Sequence, residues 1–339
     1  MTVVAVVDFF AGCGGTSLGL RHAGLDIVAA VDNDPIAARS YAANFPEARV
    51  FEKDIRALSV AELSAALPDG PLLFAGCAPC QPFSKQNRGR SELDPRRNLL
   101  SNFQFFVEQF LPDYVLVENV PGIQKLEGSR LFQQFVASLK RRSYKVDVDV
   151  VSALDFGVAQ TRRRLVLVAS RVGQPELSNA VVEMVRPRTV RDEIWDLPRL
   201  AAGETDPQDV DHVAMKLSPI NLRRIQQTPE GGTRASWTDD TLILDCHRDH
   251  AGHTDVYGRL AWDKPATAMT TRCISYSNGR FGHPVQDRAI SVREAALIQS
   301  FPMDFTFAGT LTDRARQIGN AVPPRMAEAI GRELVGRVL

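Results

Sequence analysis

No stretch of this 339-residue sequence approaches the roughly 20 consecutive apolar residues that a membrane-spanning helix needs. Net charge is also missing. Forty Lys and Arg balance forty Asp and Glu, so bulk charge neither suggests nor excludes a polyanionic partner, and only local clusters can point to one. Cysteine is scarce and odd in number, five without regular spacing, which argues for a reducing cytoplasm rather than a disulfide framework. The apolar run 3–7 has no basic segment before it and no small-residue cleavage site after it. It passes straight into a Gly-rich turn and reads as a first strand, not a signal peptide. What remains is a globular composition, 44% hydrophobic and 24% charged, long enough for one large domain and a smaller one.

Through the first 185 residues, apolar runs alternate with helical patterns, as in a parallel sheet covered by helices. The run 3–7 ends in Asp8-Phe9-Phe10-Ala11-Gly12-Cys13-Gly14-Gly15. Glycines there let the backbone approach a ligand at the N-terminus of a helix expected over 16–23. A second strand, 27–31, ends in Asp32-Asn33-Asp34, and Pro35 opens the next helix. Asp32, at the end of strand two, is placed to accept hydrogen bonds from ribose hydroxyls. A third strand over 50–55 carries Asp54 near its end, and Ser59-Val60-Ala61-Glu62 is a capping box that opens a helix to 67.

The fourth strand, 72–75, leads into Gly76-Cys77-Ala78-Pro79-Cys80-Gln81-Pro82-Phe83-Ser84. Pro79 and Pro82 fix φ on either side of Cys80, and a thiol just past a strand's carboxyl end sits where open α/β sheets place their ligand chemistry. The residues alone leave three readings open: a nucleophile, a small buried hydrophobe, or a Cys-x-x-Cys redox or zinc half-site shared with Cys77. Residues 84–98 form a polar, basic loop of a length that is usually functional, and it reads as a lid or backbone clamp beside the thiol. After a helix over 99–109, strand five (114–117) ends in Glu118, at the same sheet edge as Cys80. A helix over 129–142 and a strand over 145–152 follow. Gln160-Thr161-Arg162-Arg163-Arg164 then precedes the apolar strand 165–169. Alternation points Arg162 and Arg164 to one face and Arg163 to the other, and two arginines on one face can clamp an anion or a carbonyl.

Beyond residue 185 the composition changes. Arg186, Arg188, Arg191, Arg223, Arg224 and Arg234 punctuate a segment rich in Thr, Gly, Pro and Asp, with a short helix expected at 190–197 and no clean period after it. Cys246-His247-x-x-His250-x-x-His253 puts four potential ligands within eight residues, but the spacing fits no standard zinc pair-of-pairs. Phosphate contacts or satisfied loop histidines are expected there, and no metal. Ser291-x-x-Glu294 is a second capping box, opening a helix to 300. A last helix from Pro324 sets Met326, Ala327, Ile330, Leu334 and Val338 on one apolar stripe.

Taken together, these segments resemble the DNA cytosine-5 methyltransferase family, in its bacterial restriction-modification form. The matching runs are Phe9-Phe10-Ala11-Gly12-Cys13-Gly14-Gly15, Pro79-Cys80-Gln81-Pro82-Phe83-Ser84, Glu118-Asn119-Val120 and Gln160-x-Arg162-x-Arg164. Arg293-Glu294-Ala295-Ala296-Leu297-Ile298-Gln299-Ser300-Phe301-Pro302 and Gln317-Ile318-Gly319-Asn320-Ala321-Val322-Pro323-Pro324 complete the set. They fall in the family's order over nearly the whole length, the gap being residues 172–285.

The resemblance implies a Rossmann-like S-adenosylmethionine-dependent α/β fold. Residues 1–185 and 286–339 would form a discontinuous catalytic domain, and 186–285 a target-recognition domain. It implies Cys80 as the nucleophile and leaves Cys77 as a small core residue. Phe9, Ala11, Gly12, Gly14 and Gly15, with Asp32, Asn33, Asp54, Ile55, Pro79, Leu99, Asn320 and Ala321, would form the S-adenosylmethionine pocket. Asp32 would take the ribose, and Asp54-Ile55 would meet the adenine edge.

The chemistry explains the residue types. A thiolate added to C6 of cytosine breaks the ring's aromaticity and gives C5 enamine character. An acid at N3 (Glu118) and a guanidinium at O2 (Arg164, with Arg162 holding the acid) stabilise charge where it develops, and burial is expected to raise the pKa of Glu118. The base must leave the duplex at a cost of a few kcal/mol, with the loop 84–98 closing over it. Ser84, Lys85, Arg88, Arg90, Arg96, Arg97 and Gln160 would touch DNA, and Arg223, Arg224, Arg234 and Arg272 would read it, with Gln226, Gln227 and Asn278 as further candidates. The expected partners are double-stranded DNA, bound by a monomer in the bacterial cytoplasm, and a restriction endonuclease acting on the same site. A tRNA cytosine-5 methyltransferase shares nearly all these motifs, but its characteristic insert is not evident. An inactive DNA-binding homologue would more readily have lost one of Cys80, Glu118, Arg162 and Arg164.

Overall fold

The computed structural model describes residues 3–77, 99–121, 129–248 and 255–336. By packing, the chain divides into two compact units, Met1–Phe156 with Arg163–Glu183 and Ala321–Leu339, and Gly157–Arg162 with Met184–Asn320. The expected division put residues 157–162 and 286–320 in the large domain; by packing they go with the second unit.

Seven strands order the first unit: β1 (Ala5–Phe9), β2 (Asp26–Asp32), β3 (Arg49–Glu52), β4 (Leu72–Gly76), β5 (Tyr114–Asn119), β6 (Lys145–Ser152) and β7 (Arg163–Ser170), in the order β3-β2-β1-β4-β5-β7-β6. The first five are parallel, and β7 runs antiparallel to both β5 and β6. The carboxyl ends of β1, β2, β4 and β5 therefore share one edge with the amino end of β7. The chain reverses its direction of winding between β1 and β4, the switch point at which such sheets open a crevice. Strand three is shorter than expected, because Asp54 caps a 3₁₀ turn at Ile55–Ala57 that ends the extended run.

Helices α1 (Gly15–His22), α2 (Pro35–Asn44), α3 (Val60–Ser64), α4 (Leu99–Phe110) and α5 (Ser129–Arg141) belong to the same unit. Both start signals there act as written: Pro35 stands at the first turn of α2, and Ser59 and Glu62 form the reciprocal capping box of α3. The core is hydrocarbon, with Phe9, Phe74, Phe103, Phe106 and Phe135 all sealed from solvent. Phe9 meets Phe74 and Phe103 edge-on at 5.3 Å each, a favourable arrangement for aromatic rings.

The second unit holds α6 (Val190–Ile194), α7 (Pro219–Gln226), α8 (Asp245–Arg248), α9 (Val292–Ile298) and α10 (Leu311–Asn320). Strand pairing among its described residues is limited to isolated bridges. Buried arginines do much of the joining. Arg288 grips Glu294 through two 2.7 Å bonds, and Arg293 reaches Asp209 at 2.6 Å and the Phe305 carbonyl at 3.0 Å. Arg259 donates to the carbonyls of Thr228 at 2.6 Å and His283 at 2.9 Å. The last helix, α11 (Pro324–Leu334), returns to the first unit and packs on α1. The contact is so close that a Cβ on Gly19 would stand 2.3 Å from the Pro324 carbonyl oxygen.

Candidate active site

The turn after β1 is built for close approach. Phe10 and Ala11 donate to the Val31 carbonyl at 2.8 and 3.2 Å, turning the chain off the sheet. Phe10 adopts a left-handed φ of 59°, a strained state for an aromatic residue. Gly14 has φ 99°, and a Cβ there would lie 2.5 Å from the Phe45 ring, so no larger residue fits. At Gly12, φ 56°, a Cβ would meet nothing within 4 Å: the backbone is open above the turn. Asp32 ties this turn to the end of β2, its carboxylate accepting from Gly12 N–H at 2.7 Å and Asp34 N–H at 2.8 Å. Burial raises the Asp32 carboxyl above its usual range, although both amides work against the shift. An open backbone turn beside a half-buried acid is a cradle that suits a nucleoside-bearing ligand.

The other residues expected around the donor differ in burial and partners. The Phe9 ring is in the core, leaving it only its backbone, whose carbonyl accepts from Cys77 N–H at 3.3 Å. Phe10, half exposed at the strand's end, is the aromatic side chain at the turn. A paired Phe9-Phe10 hid this, since only the strand's facing decides which ring turns inward. Ile55 and Leu99 are buried in the same core as Phe9. Asp54 is engaged by Arg56, which donates from Nε and Nη2 at 2.8 and 2.7 Å; those bonds hold the Asp54 carboxyl below its usual range. Asn33 and Asn320 are exposed, and Ala321 is partly so. Pro79 lies outside the described residues.

Beneath the turn is a group the sequence reading missed. Asp8 is fully buried in β1 and accepts from Ser17 Oγ at 2.7 Å, and Ser17 meets Tyr41 Oη at 2.7 Å. Burial pushes the Asp8 carboxyl up to about 7. The signal was present as an acid inside an apolar run.

At the neighbouring strand ends, Glu118 closes β5 and Arg164 opens β7. Because those strands are antiparallel, an end meets a beginning, and Arg164 Nε lies 2.7 Å from Glu118 Oε1. Arg164 also donates from Nη1 to the Arg163 carbonyl at 2.8 Å. The alternation holds, with Arg163 exposed between two less exposed arginines. Arg162 has partners the sequence did not announce: its Nη1 donates to the carbonyls of Met269 at 3.0 Å and Gly319 at 3.1 Å, within the second unit. Cys77 follows β4 with Sγ 3.5 Å from Thr16 Oγ1. It is half-buried by residue, and burial of its thiol, then the Glu118 charge, push the thiol well above its usual value.

Cys80, Ser84, Lys85, Arg88, Arg90, Arg96 and Arg97 lie outside the described residues. Gln160, expected on DNA, is instead wholly buried. Arg224 also points inward, donating to the Leu242 carbonyl at 2.9 Å and lying 5.0 Å from the Tyr257 ring centre. Arg223 and Arg272 are exposed and Arg234 is partly so. His250 and His253 also fall outside the described residues. Among the described residues no cluster of three His, Cys, Asp or Glu could hold a metal, and no helix is long and apolar enough to cross a membrane.

The Type II methylase M.HgiDII of Herpetosiphon aurantiacus is 40% identical over 339 residues, covering 98% of this chain and 95% of its own. The Type II methyltransferase M1.HphI of Haemophilus parahaemolyticus is 32% identical over 332 residues, 97% of this chain and 86% of its own. A solved DNA modification methyltransferase encoded within an E. coli prophage superposes with a TM-score of 0.78 at 25% identity, covering 98% of this chain and 99% of its own. Spodoptera frugiperda DNMT2 shares the fold, with a TM-score of 0.65 at 18% identity over 98% and 99% of the two chains. The model of C-5 cytosine-specific DNA methylases matches residues 4–336, and with a 40% identical methylase spanning nearly all of both chains it places this protein in one family: the chain belongs to the C-5 cytosine-specific DNA methylases.

Proposed function

We propose that this DNA cytosine-5 methyltransferase uses Cys80, Glu118 and Arg164 on a cytosine flipped out of duplex DNA, with S-adenosylmethionine as donor. When bound, S-adenosylmethionine supplies an electrophilic methyl group on a sulfonium. The open backbone at Gly12 and the Asp32 carboxylate beside it fit the donor, with Asp32 directed to the ribose. The Cys80 thiolate adds to C6, and Glu118 delivers or shares a proton at N3 while the Arg164 guanidinium meets O2. Once C5 carries the methyl group, loss of its proton to a base re-forms the C5–C6 double bond and expels the Cys80 thiolate. The observation that carries this reading is the 2.7 Å Glu118–Arg164 pair at the edge where β4 leads toward Cys80. A pair so joined moves as one clamp on the N3 and O2 side of a pyrimidine. Cys77 is a poor alternative nucleophile, since burial and the Glu118 charge keep its thiol protonated.

Sequence choice falls to residues 186–285, with exposed Arg223 and half-exposed Arg234 as candidate readers. The relatives named as Type II methylases favour DNA as the substrate and a restriction endonuclease of the same site as a partner, and we read the enzyme as a monomer on DNA in the bacterial cytoplasm. The test is methyl transfer from tritiated S-adenosylmethionine to DNA. Cys80→Ala abolishes it and leaves donor binding intact, Cys77→Ala stays near the parent, and Glu118→Gln slows single-turnover transfer by about 10²–10⁴. Full activity in Cys80→Ala sinks the mechanism.

A further inference from the structure

Residues 157–162 belong to the second unit although the chain on either side belongs to the first. Two of them send long side chains inward to the backbone of the same residue. The Gln160 Oε1 accepts from Met269 N–H at 3.1 Å, while its Nε2 donates to the Ile298 carbonyl at 3.3 Å and to Gln299 Oε1. One Arg162 nitrogen, Nη1, spends its two protons on the Met269 and Gly319 carbonyls at 3.0 and 3.1 Å. Met269 is thus held by its N–H from one side chain and by its C=O from the next but one. The backbone repeats the grip: Ala266 N–H donates to the Ala159 carbonyl at 2.8 Å, and Thr161 N–H to the Ala266 carbonyl at 2.9 Å.

What this grip fixes is the turn that follows. Thr270, Thr271 and Arg272 are all exposed, whereas Met269 before them and Cys273 after them are buried. The far side of the turn is equally constrained. A Cβ on Gly319 would stand 2.1 Å from the Thr270 carbonyl oxygen, and Cys273 Sγ approaches the Ala315 carbonyl at 3.7 Å. Two hydroxyls and a guanidinium are therefore presented on a backbone pinned at both ends, while neither side chain that does the pinning reaches solvent. Loops that carry binding groups gain affinity and selectivity when a rigid base removes the cost of ordering them.

We infer that Gln160 and Arg162 are positioning residues, which clamp the Met269 peptide so that Thr270, Thr271 and Arg272 form a fixed contact to the DNA phosphate backbone. The inference rests on the proposed DNA methyl transfer. Hydroxyls and a guanidinium are the usual donors to phosphate oxygens, and none of the three needs to carry sequence information. Arg162 then acts on binding through the 270–272 turn, and not on the acid at β5.

The experiment is steady-state methyl transfer to a duplex carrying the parent's own methylated context, with a melting curve for each variant. Arg162→Met preserves length and apolar stem but strands two carbonyls. It raises the KM for DNA about tenfold or more, and kcat falls by a smaller factor. Arg272→Ala raises KM by a similar factor and leaves the methylated contexts of a random-sequence pool unchanged. The double variant is no worse than the poorer single one, because a turn without its base gains nothing from its arginine. Gln160→Ala gives the same pattern and serves if Arg162→Met does not fold. Additive effects, or a kcat loss in Arg162→Met at unchanged KM, overturn the inference. An altered context in Arg272→Ala overturns its phosphate assignment. If the unsubstituted protein methylates no DNA at all, the proposed function has failed instead.

Discussion

In the first unit, interior backbone groups pair along a seven-stranded ladder, and the side chains between sheet and helices are mostly hydrocarbon, the buried Asp8–Ser17–Tyr41 group excepted. In the second, strand pairing among the described residues is limited to isolated bridges, and buried arginines supply part of the donors that a ladder would have provided. A buried carbonyl needs a partner wherever it lies. A regular sheet finds one on the neighbouring strand, whereas an irregular unit can bring one in on a long side chain. One guanidinium offers five donors in a fixed fork, so Arg259 alone serves the carbonyls of Ile225, Thr228, His283 and Gln286. The difference teaches that an arginine-rich segment in a DNA enzyme is not, by that fact, a DNA-binding surface.

The sharpest way to break that contrast is Arg288→Met. Arg288 is wholly buried, and its loss strands the Glu294 carboxylate, which its two bonds help hold below the usual range. Removing one partner of such a pair costs about 3–5 kcal/mol, while replacing both by apolar residues is often neutral. Urea unfolding followed by amide exchange is expected to show the second unit loosened, the β1–β4 amides unchanged, and an Arg288→Met/Glu294→Met double variant largely restored. Equal loosening of both units would show that the arginines are not private to the second.

The two units also answer pH in opposite senses. Asp8 keeps a proton up to about 7 that the unfolded chain gives up near its ordinary 3.8. Its contribution is complete below the lower value and is lost as pH rises through the upper one, by at most roughly 4 kcal/mol. His283 is held neutral down to about 3 by burial, and its Nδ1 accepts from Val285 and Gln286 N–H. Its contribution is complete above the ordinary 6.5 and is lost as pH falls toward 3. Amide exchange read separately in β1 and in α9 between pH 5 and 8 is expected to move in opposite directions, and Asp8→Asn to flatten the first trend alone.

The smallest effect compares one motif in two settings. Ser59 caps α3 in the open, whereas Ser291 caps α9 in the interior and also meets His212 Nδ1 at 2.9 Å. Ser291→Ala is expected to lower stability by about 2 kcal/mol and Ser59→Ala by about 0.5–1. Comparable melting shifts would refute the dependence on burial.

Both capping boxes were legible in the sequence, because a helix start is written within four residues. So were the strands of the sheet and Glu118, an acid closing an apolar run. Gln160, Arg162 and Arg224 were legible as polar but not as inward-facing. The carbonyls that Gln160 and Arg162 serve lie more than a hundred residues away in sequence, and that of Arg224 lies 18 away. Spacing along the chain carries no record of such partners. Phe9 and Phe10 failed for a local reason: two like rings side by side leave the facing of the strand undecided.

The packing of α11 on α1 has a consequence for the newly made chain. Some 300 residues separate the two helices, which at about 5–20 residues per second is roughly 15–60 s of translation. Through that interval α1 stands with the flank that Gly19 presents to Pro324 uncovered, although the strands around it have already emerged. A ribosome-held chain halted at residue 320 should be cut by protease within α1 and spared there once α11 has followed. The fold around the Gly-rich turn is thus completed only once α11 has been made, some 300 residues after α1, and a chain halted short of α11 lacks the packing that closes α1.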